Sequence, residues 1–122
     1  MSDVGSTRGD IGGNGLDGQG WDESAIDWAF ELLARERRRL VLEKLRTAST
    51  EAVSFDDLTD HLLAHDSGSD KRDRVTSTLH HTTLPRLEDA RIVDLDRRTD
   101  TVRYRGNELV EEILDFVADR TA

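Results

Sequence analysis

The hydrophobic pattern of this 122-residue chain changes period at one place, and that change bounds the fold. From Asp22 to Ala90 the apolar side chains recur every three or four residues, as on the buried stripe of a helix. Over residues 91–105 they alternate. Ile92-Val93-Asp94-Leu95 and Thr101-Val102-Arg103-Tyr104 read as two strands, with Arg97-Arg98-Thr99-Asp100 as a polar hairpin turn between them. Val102 and Tyr104 share one face, Arg103 and Arg105 the other. Helical spacing then resumes behind Asn107, a cap for a last helix over 108–120. The fold class is therefore α+β and mostly helical.

The helical part divides at its caps and breakers. Asp22 or Ser24 starts a first helix, with Ile26, Phe30 and Leu33 on one apolar face and Trp21, Ala25, Trp28 and Leu32 on a second. Two apolar faces require two surfaces to cover them, the chain's own core and a partner. Residues 35–47 carry a buried stripe of Leu40, Val41 and Leu45 and the densest basic run, Arg35 with Arg37, Arg38 and Arg39. Two roles are open to that run, phosphate contact or solvation. Ala52-Val53-Ser54 is a strand stub. Ser54, with Asp57 three residues on, nearly matches a capping box for helix 55–65, which buries Phe55, Leu58 and Leu62. The loop from Asp66 to Ser69 breaks it. Asp70 is a cap for helix 70–82, with Val75, Leu79 and Thr82 inward and Asp73, Arg74, Thr76, Ser77, His80 and His81 on the opposite arc. Pro85 either disturbs that helix near its end or starts one more turn, and Leu84, Leu87 and Ala90 close the core.

Composition narrows the function. Residues 1–20 hold seven of the nine glycines and almost no apolar side chain, so segment 1–21 is expected to be a disordered Gly/Asp-rich tail ahead of one domain over 22–122. There is no cysteine, which excludes disulfides, thiolate metal sites and a cysteine nucleophile. No apolar run approaches a membrane span and no apolar signal segment opens the chain, so a cytoplasmic protein is expected. The acids are mostly Asp, 17 of 26, and the bases almost all Arg, 15 of 17. This balance resembles proteins of salt-loving archaea, and a GC-rich genome favouring Arg codons is the plainer alternative. The net charge of -9 is uneven: residues 1–34 carry -6, residues 35–105 carry +1 and residues 106–122 carry -4. The middle is where a polyanion is tolerated.

Helix, stub, helix, helix and hairpin follow each other in the winged helix-turn-helix order, here with an extra N-terminal helix and a C-terminal helix. The segment from His81 through Leu84-Pro85-Arg86-Leu87 to Val93 resembles the end of the recognition helix and the start of the wing in ArsR- and MarR-like regulators. With Glu36-Arg37-Arg38-Arg39 and Asp96-Arg97-Arg98 ahead of Val102-Arg103-Tyr104, the span 26–104 resembles a haloarchaeal winged-helix family of unknown function. Such proteins usually have Gly where Arg91 stands, which implies either a tight conformation at Arg91 or a register one residue off.

The resemblance implies a transcriptional regulator of double-stranded DNA. Lys71, Arg72 and Arg74 lie near phosphates, Thr76, Ser77, His80 and His81 meet base edges, and Arg97 and Arg98 at the wing tip reach a minor groove or the backbone. The final helix carries Leu109, Val110, Ile113, Leu114, Phe116 and Val117, a stripe wider than a small domain needs. Leu109, Ile113, Phe116 and Val117 are the expected homodimer interface.

The alternative is a winged-helix module that binds another protein, through the Trp21 and Trp28 face or the last helix, without binding DNA. No enzyme is expected: the acid pairs Asp56-Asp57, Glu88-Asp89 and Glu111-Glu112 lie on helix surfaces, and no nucleophile–base arrangement can be assembled. His61 and His65 stand at the i, i+4 spacing of a helical metal site but lack a third ligand, so neither metal nor cofactor is expected. Gly12-Gly13-Asn14-Gly15-Leu16-Asp17 matches one copy of a calcium-binding repeat that needs stacked copies.

Overall fold

Asp22 opens the first helix: its Oδ1 accepts the Ala25 N–H at 2.8 Å, and α1 runs Glu23–Leu32. The computed structural model describes residues 21–121 apart from Ser67 and Ser69. All but Trp21 of the expected tail, and with it the glycine-rich stretch 12–17, lie outside the described residues. The described residues divide into two compact units, a larger one of Leu32–Asn107 and a smaller one that joins residues 21–31 with those from Glu108.

The larger unit holds α2 (Glu36–Thr47), β1 (Ala52–Ser54), α3 (Phe55–His65), α4 (Arg72–Thr78), a π turn (Leu79–Thr83), α5 (Leu84–Asp89), β2 (Val93–Asp96) and β3 (Thr101–Tyr104). Ser54 caps α3, its Oγ accepting the Asp57 N–H at 3.0 Å, and two acids sit in the first turn where the helix dipole favours them. The stub β1 is the third strand of an antiparallel sheet ordered β1-β3-β2. Val53 lies opposite Val102, and Leu95 opposite Val102 on the other side.

The core forms where the inward rows meet: Val41 and Leu42 of α2, Leu58 and Leu62 of α3, Val75 of α4, Leu84 and Leu87 of α5, and Ile92, Val93 and Val102 by the hairpin. Each fully buried Leu is worth about 2 kcal/mol against exposure. That inner row outweighs the poor helix propensity of a segment rich in Thr and His and interrupted by Pro85.

Three expected burials differ. In α2, Leu42 takes the place expected for Leu40, which is half-buried. Ala90, expected with Leu84 and Leu87 to close the core, is half-buried. Beyond Leu79 the inward residue is Thr83, 4 % exposed, while Thr82 points to solvent. The cause is the π turn, which adds one residue to the helical circuit and moves the inner row forward by one.

In the smaller unit Ala29 is buried, as are Leu109, Val110, Ile113 and Leu114 of α6 (Glu108–Thr121). Of the residues expected to form a dimer interface, Leu109 and Ile113 are therefore already covered by the chain itself. Val117 is half-buried and Phe116 is 58 % exposed, with the Arg120 guanidinium 4.5 Å from its ring centroid.

Candidate nucleic-acid interface

Successive turns of the helix through Arg72–Thr83 put Arg72, Asp73, Thr76, Ser77, His80 and His81 on one outer face, where they line a shallow depression of about 370 Å³. A second depression, about 380 Å³, adjoins it and is lined by Phe55, His80, His81, Pro85, Arg97 and Asp100. The two histidines belong to both. The helix face and the hairpin turn thus meet at His80 and His81.

Phe55 holds that junction together. Its N–H donates to the Asp100 carbonyl at 2.9 Å, tying the hairpin turn to the start of α3. Its buried ring meets the His80 imidazole edge-on, with centroids 4.7 Å apart and planes at 79°. The turn is also self-braced. Asp96 Oδ1 accepts the N–H groups of Arg98 and Thr99 at 3.0 and 3.3 Å, and the Thr99 and Thr101 hydroxyls lie 2.9 Å apart. Desolvation works against the Asp96 charge, but the Thr99 and Arg98 donors outweigh it and hold the carboxyl below the usual range. Asp100 closes the turn at φ 53°.

Of the nine residues expected to contact DNA, five line the depressions on the helix side (Arg72, Thr76, Ser77, His80 and His81) and Arg97 joins them from the turn. Lys71, just before α4, and Arg74 are exposed beside that face and make no ion pair among the described residues. Arg98, 84 % exposed in its side chain, stands at the turn tip. Several cations have acidic neighbours: Arg72 Nη1 lies 2.7 Å from Asp60 Oδ1, Arg98 Nη2 3.6 Å from Asp96 Oδ2, and Arg97 Nη2 4.0 Å from Glu88 Oε1. Such solvent-exposed pairs are worth about 0–1 kcal/mol, so exchanging one for a phosphate costs little. Sequence reasoning placed Phe55 in the core and missed its second role, because a sequence does not show what a backbone N–H bonds to. The sequence gives no sign that Pro85 and Asp100 line this depression.

The basic run on α2 is not simply solvated: Arg37, Arg38 and Arg39 are half-buried and each makes hydrogen bonds within the chain. Arg37 Nε donates to Asp66 Oδ2 at 2.5 Å and its Nη2 to Asp70 Oδ2 at 2.6 Å. Arg38 and Arg39 donate to the Leu32 and Leu33 carbonyls at 3.2 and 2.7 Å, satisfying groups left over near the end of α1. Asp70 consequently serves Arg37 and does not cap α4, whose N-cap Lys71 makes no side-chain cap bond. Burial opposes the charge of Arg37, yet Asp66 and Asp70 raise its pKa above the ordinary arginine value. Burial likewise opposes ionisation of Asp66, but hydrogen bonds from Arg37 and the Gly68 N–H prevail and hold its carboxyl below the usual range.

His61 and His65 stack with ring centroids 4.5 Å apart, and His61 Nε2 lies 3.3 Å from Glu43 Oε1 without hydrogen-bond alignment. Among the described residues no group of three or more His, Asp or Glu side chains is placed to hold a metal ion, and no helix is long and apolar enough to cross a membrane.

These elements define an α+β protein, mostly helical, with a small antiparallel sheet, an arrangement compatible with a winged helix. The chain belongs to the family described as Domain of unknown function (DUF7344), which matches residues 30–103. No curated protein and no solved structure matches the chain.

Proposed function

We propose that the protein is a DNA-binding transcriptional regulator of winged-helix type, dimeric and working in the cytoplasm of a halophilic archaeon. In this reading α3 and the helix that starts at Arg72 form the helix-turn-helix, and β2, β3 and their turn are the wing. The observation that carries it is the meeting of the outer helix face with the hairpin turn at His80 and His81. A recognition helix presents such a face to the major groove, and the wing contacts the flanking backbone or minor groove. Thr76, Ser77, His80 and His81 then face base edges, while Lys71, Arg72, Arg74, Arg97 and Arg98 lie toward phosphates. A net charge of -9 does not forbid this. At molar salt the screening length is about 3 Å. Counterion release then adds little, and affinity rests on hydrogen bonds, apolar contact and shape.

The test is selection of genomic fragments by the purified protein in buffers from low salt to multimolar KCl, followed by sequencing. Enrichment of a near-palindromic site supports a dimeric regulator. No enrichment at any salt, with the protein folded, rejects the reading.

A second reading, a protein-binding winged helix, is favoured by a different observation. Phe30 and Phe116 are each more than half exposed, and the Trp21 indole N–H is buried without a hydrogen-bond partner among the described residues. Replacing Arg74, Arg97 and Arg98 together with Glu separates the two. Loss of function in the cell favours DNA, and retention favours the protein partner.

A further inference from the structure

We propose that the π turn Leu79–Thr83 is the sequence-reading part of this surface: it presents His81 and Thr82 to base edges, with Pro85 as the positioning residue that keeps the turn open. The inference rests on the DNA-binding reading and deepens it.

Backbone chemistry comes first. The Leu84 N–H bonds to the Leu79 carbonyl, five residues back, where an α-helix would bond four back. Pro85 has no N–H to offer the His81 carbonyl, and its ring crowds that group. A π turn relieves both problems by opening the helical circuit around it. The backbone stays right-handed helical on either side, at Thr78, Leu79, Thr83 and Leu84, so the helix is widened and not broken.

The consequence is a change of face. In an unbroken α-helix the inner row of Val75 and Leu79 continues at Thr82. Here it continues at Thr83, 4 % exposed, and Leu84, fully buried. One inserted residue rotates all that follows by about 100°. Thr82 is released to the outside beside the exposed His81. His80 is not equivalent to its neighbour: half-buried and edge-on to Phe55, it is held in place. His81 and Thr82 are thus the exposed polar side chains of the turn, and Arg97 of the wing lines the same depression as His81. A neutral imidazole offers one donor and one acceptor, and a hydroxyl offers both. This is the chemistry that distinguishes base pairs at the major-groove edge.

The experiment is selection from randomised duplex DNA in multimolar KCl, using the full chain and the variants His81→Ala, Thr82→Ala and Pro85→Ala. Binding to mixed-sequence DNA is measured alongside. For His81→Ala and Thr82→Ala the preference is expected to fall about tenfold at one or two adjacent positions of each half-site, within the range of a lost base contact. Mixed-sequence affinity should stay within about twofold, because no phosphate contact is removed. Pro85→Ala restores an N–H and lets the helix close. It should alter preference at the same positions although Pro85 is not among the base-contacting residues. Thr82→Ala changes an exposed side chain, so it tests the proposal even if Pro85→Ala fails to fold. If the wild type selects a site and the variants select it with unchanged preference, the inference is overturned alone. If the wild type selects no sequence at any salt, the DNA reading falls and takes the inference with it.

Discussion

Arg91 carries the clearest backbone cost in the described chain, with φ 63° in the left-handed region. It stands where winged-helix relatives were expected to have Gly, and the reason is the helix end it terminates. The Arg91 N–H bonds to the Glu88 carbonyl and the Ile92 N–H to the Leu87 carbonyl, which is a Schellman closure, with Leu87 and Ile92 both fully buried as its apolar clasp. Of the two expectations at this position, the φ value supports the tight conformation at Arg91. A non-glycine residue there costs about 1–2 kcal/mol. Glycine would forfeit about 0.4–1 kcal/mol through the unfolded chain. Arg91→Gly should therefore raise stability by about 0.5–1 kcal/mol in thermal unfolding, and Arg91→Val should lower it.

His61 supplies a pH dependence. Burial and then the neighbouring His65 lower its pKa, against the opposing pull of Glu43. The unfolded chain then binds the proton more tightly than the folded one. Stability through His61 is full above the ordinary histidine value of about 6.5 and declines as pH falls below it. Denaturant midpoints measured across that window should fall for the wild type and flatten in His61→Gln.

At the scale of elements, the Arg37 clamp joins Asp66 to Asp70 between α3 and α4. Its guanidinium, 19 % exposed, holds Asp66 just after α3 and Asp70 just before α4. Water reaches its outer edge, so the clamp is worth less than a fully buried pair. Arg37→Ala should cost about 1–2 kcal/mol, in the range of charge-assisted hydrogen bonds after screening. A double-mutant cycle with Asp66→Ala should return a coupling of about 0.5 kcal/mol or more, and additivity would reject the clamp. Because the Asp66 pKa is lowered, this stability is present above the ordinary aspartate value of about 3.9 and is lost as pH falls through the folded value. The basic run thus acts as a fastener between elements. Charge alone could not reveal this role, since Arg pairs with carboxylate and phosphate by the same fork.

For the whole molecule, the proposed dimer rests on what α6 leaves exposed. Leu109 and Ile113 are buried within the chain, so a dimer through this helix has Phe116 as its apolar anchor. Phe116→Ser should shift sedimentation from dimer toward monomer while leaving the unfolding midpoint of the dilute protein within about 0.5 kcal/mol, as for an exposed site. A wild type that sediments as a monomer at high concentration removes the dimer from the proposal.

What the sequence determined by itself was local: the apolar periods that placed the helices and two strands, the Ser54 cap and the polar turn at residues 97–100. Each of these is dictated by side chains within a few residues of one another, so a linear reading suffices. The tertiary structure decided the rest. It gave the three-residue stub at Ala52–Ser54 a place in the sheet, because the partner strand that completes its hydrogen bonds lies some fifty residues away. It turned Arg37 inward onto two aspartates and brought Phe55 under His80 and beside the hairpin turn. It also settled what Pro85 does to its helix, since opening a π turn instead of breaking the rod is worthwhile only when Thr83, Leu84 and Leu87 gain burial by the shift.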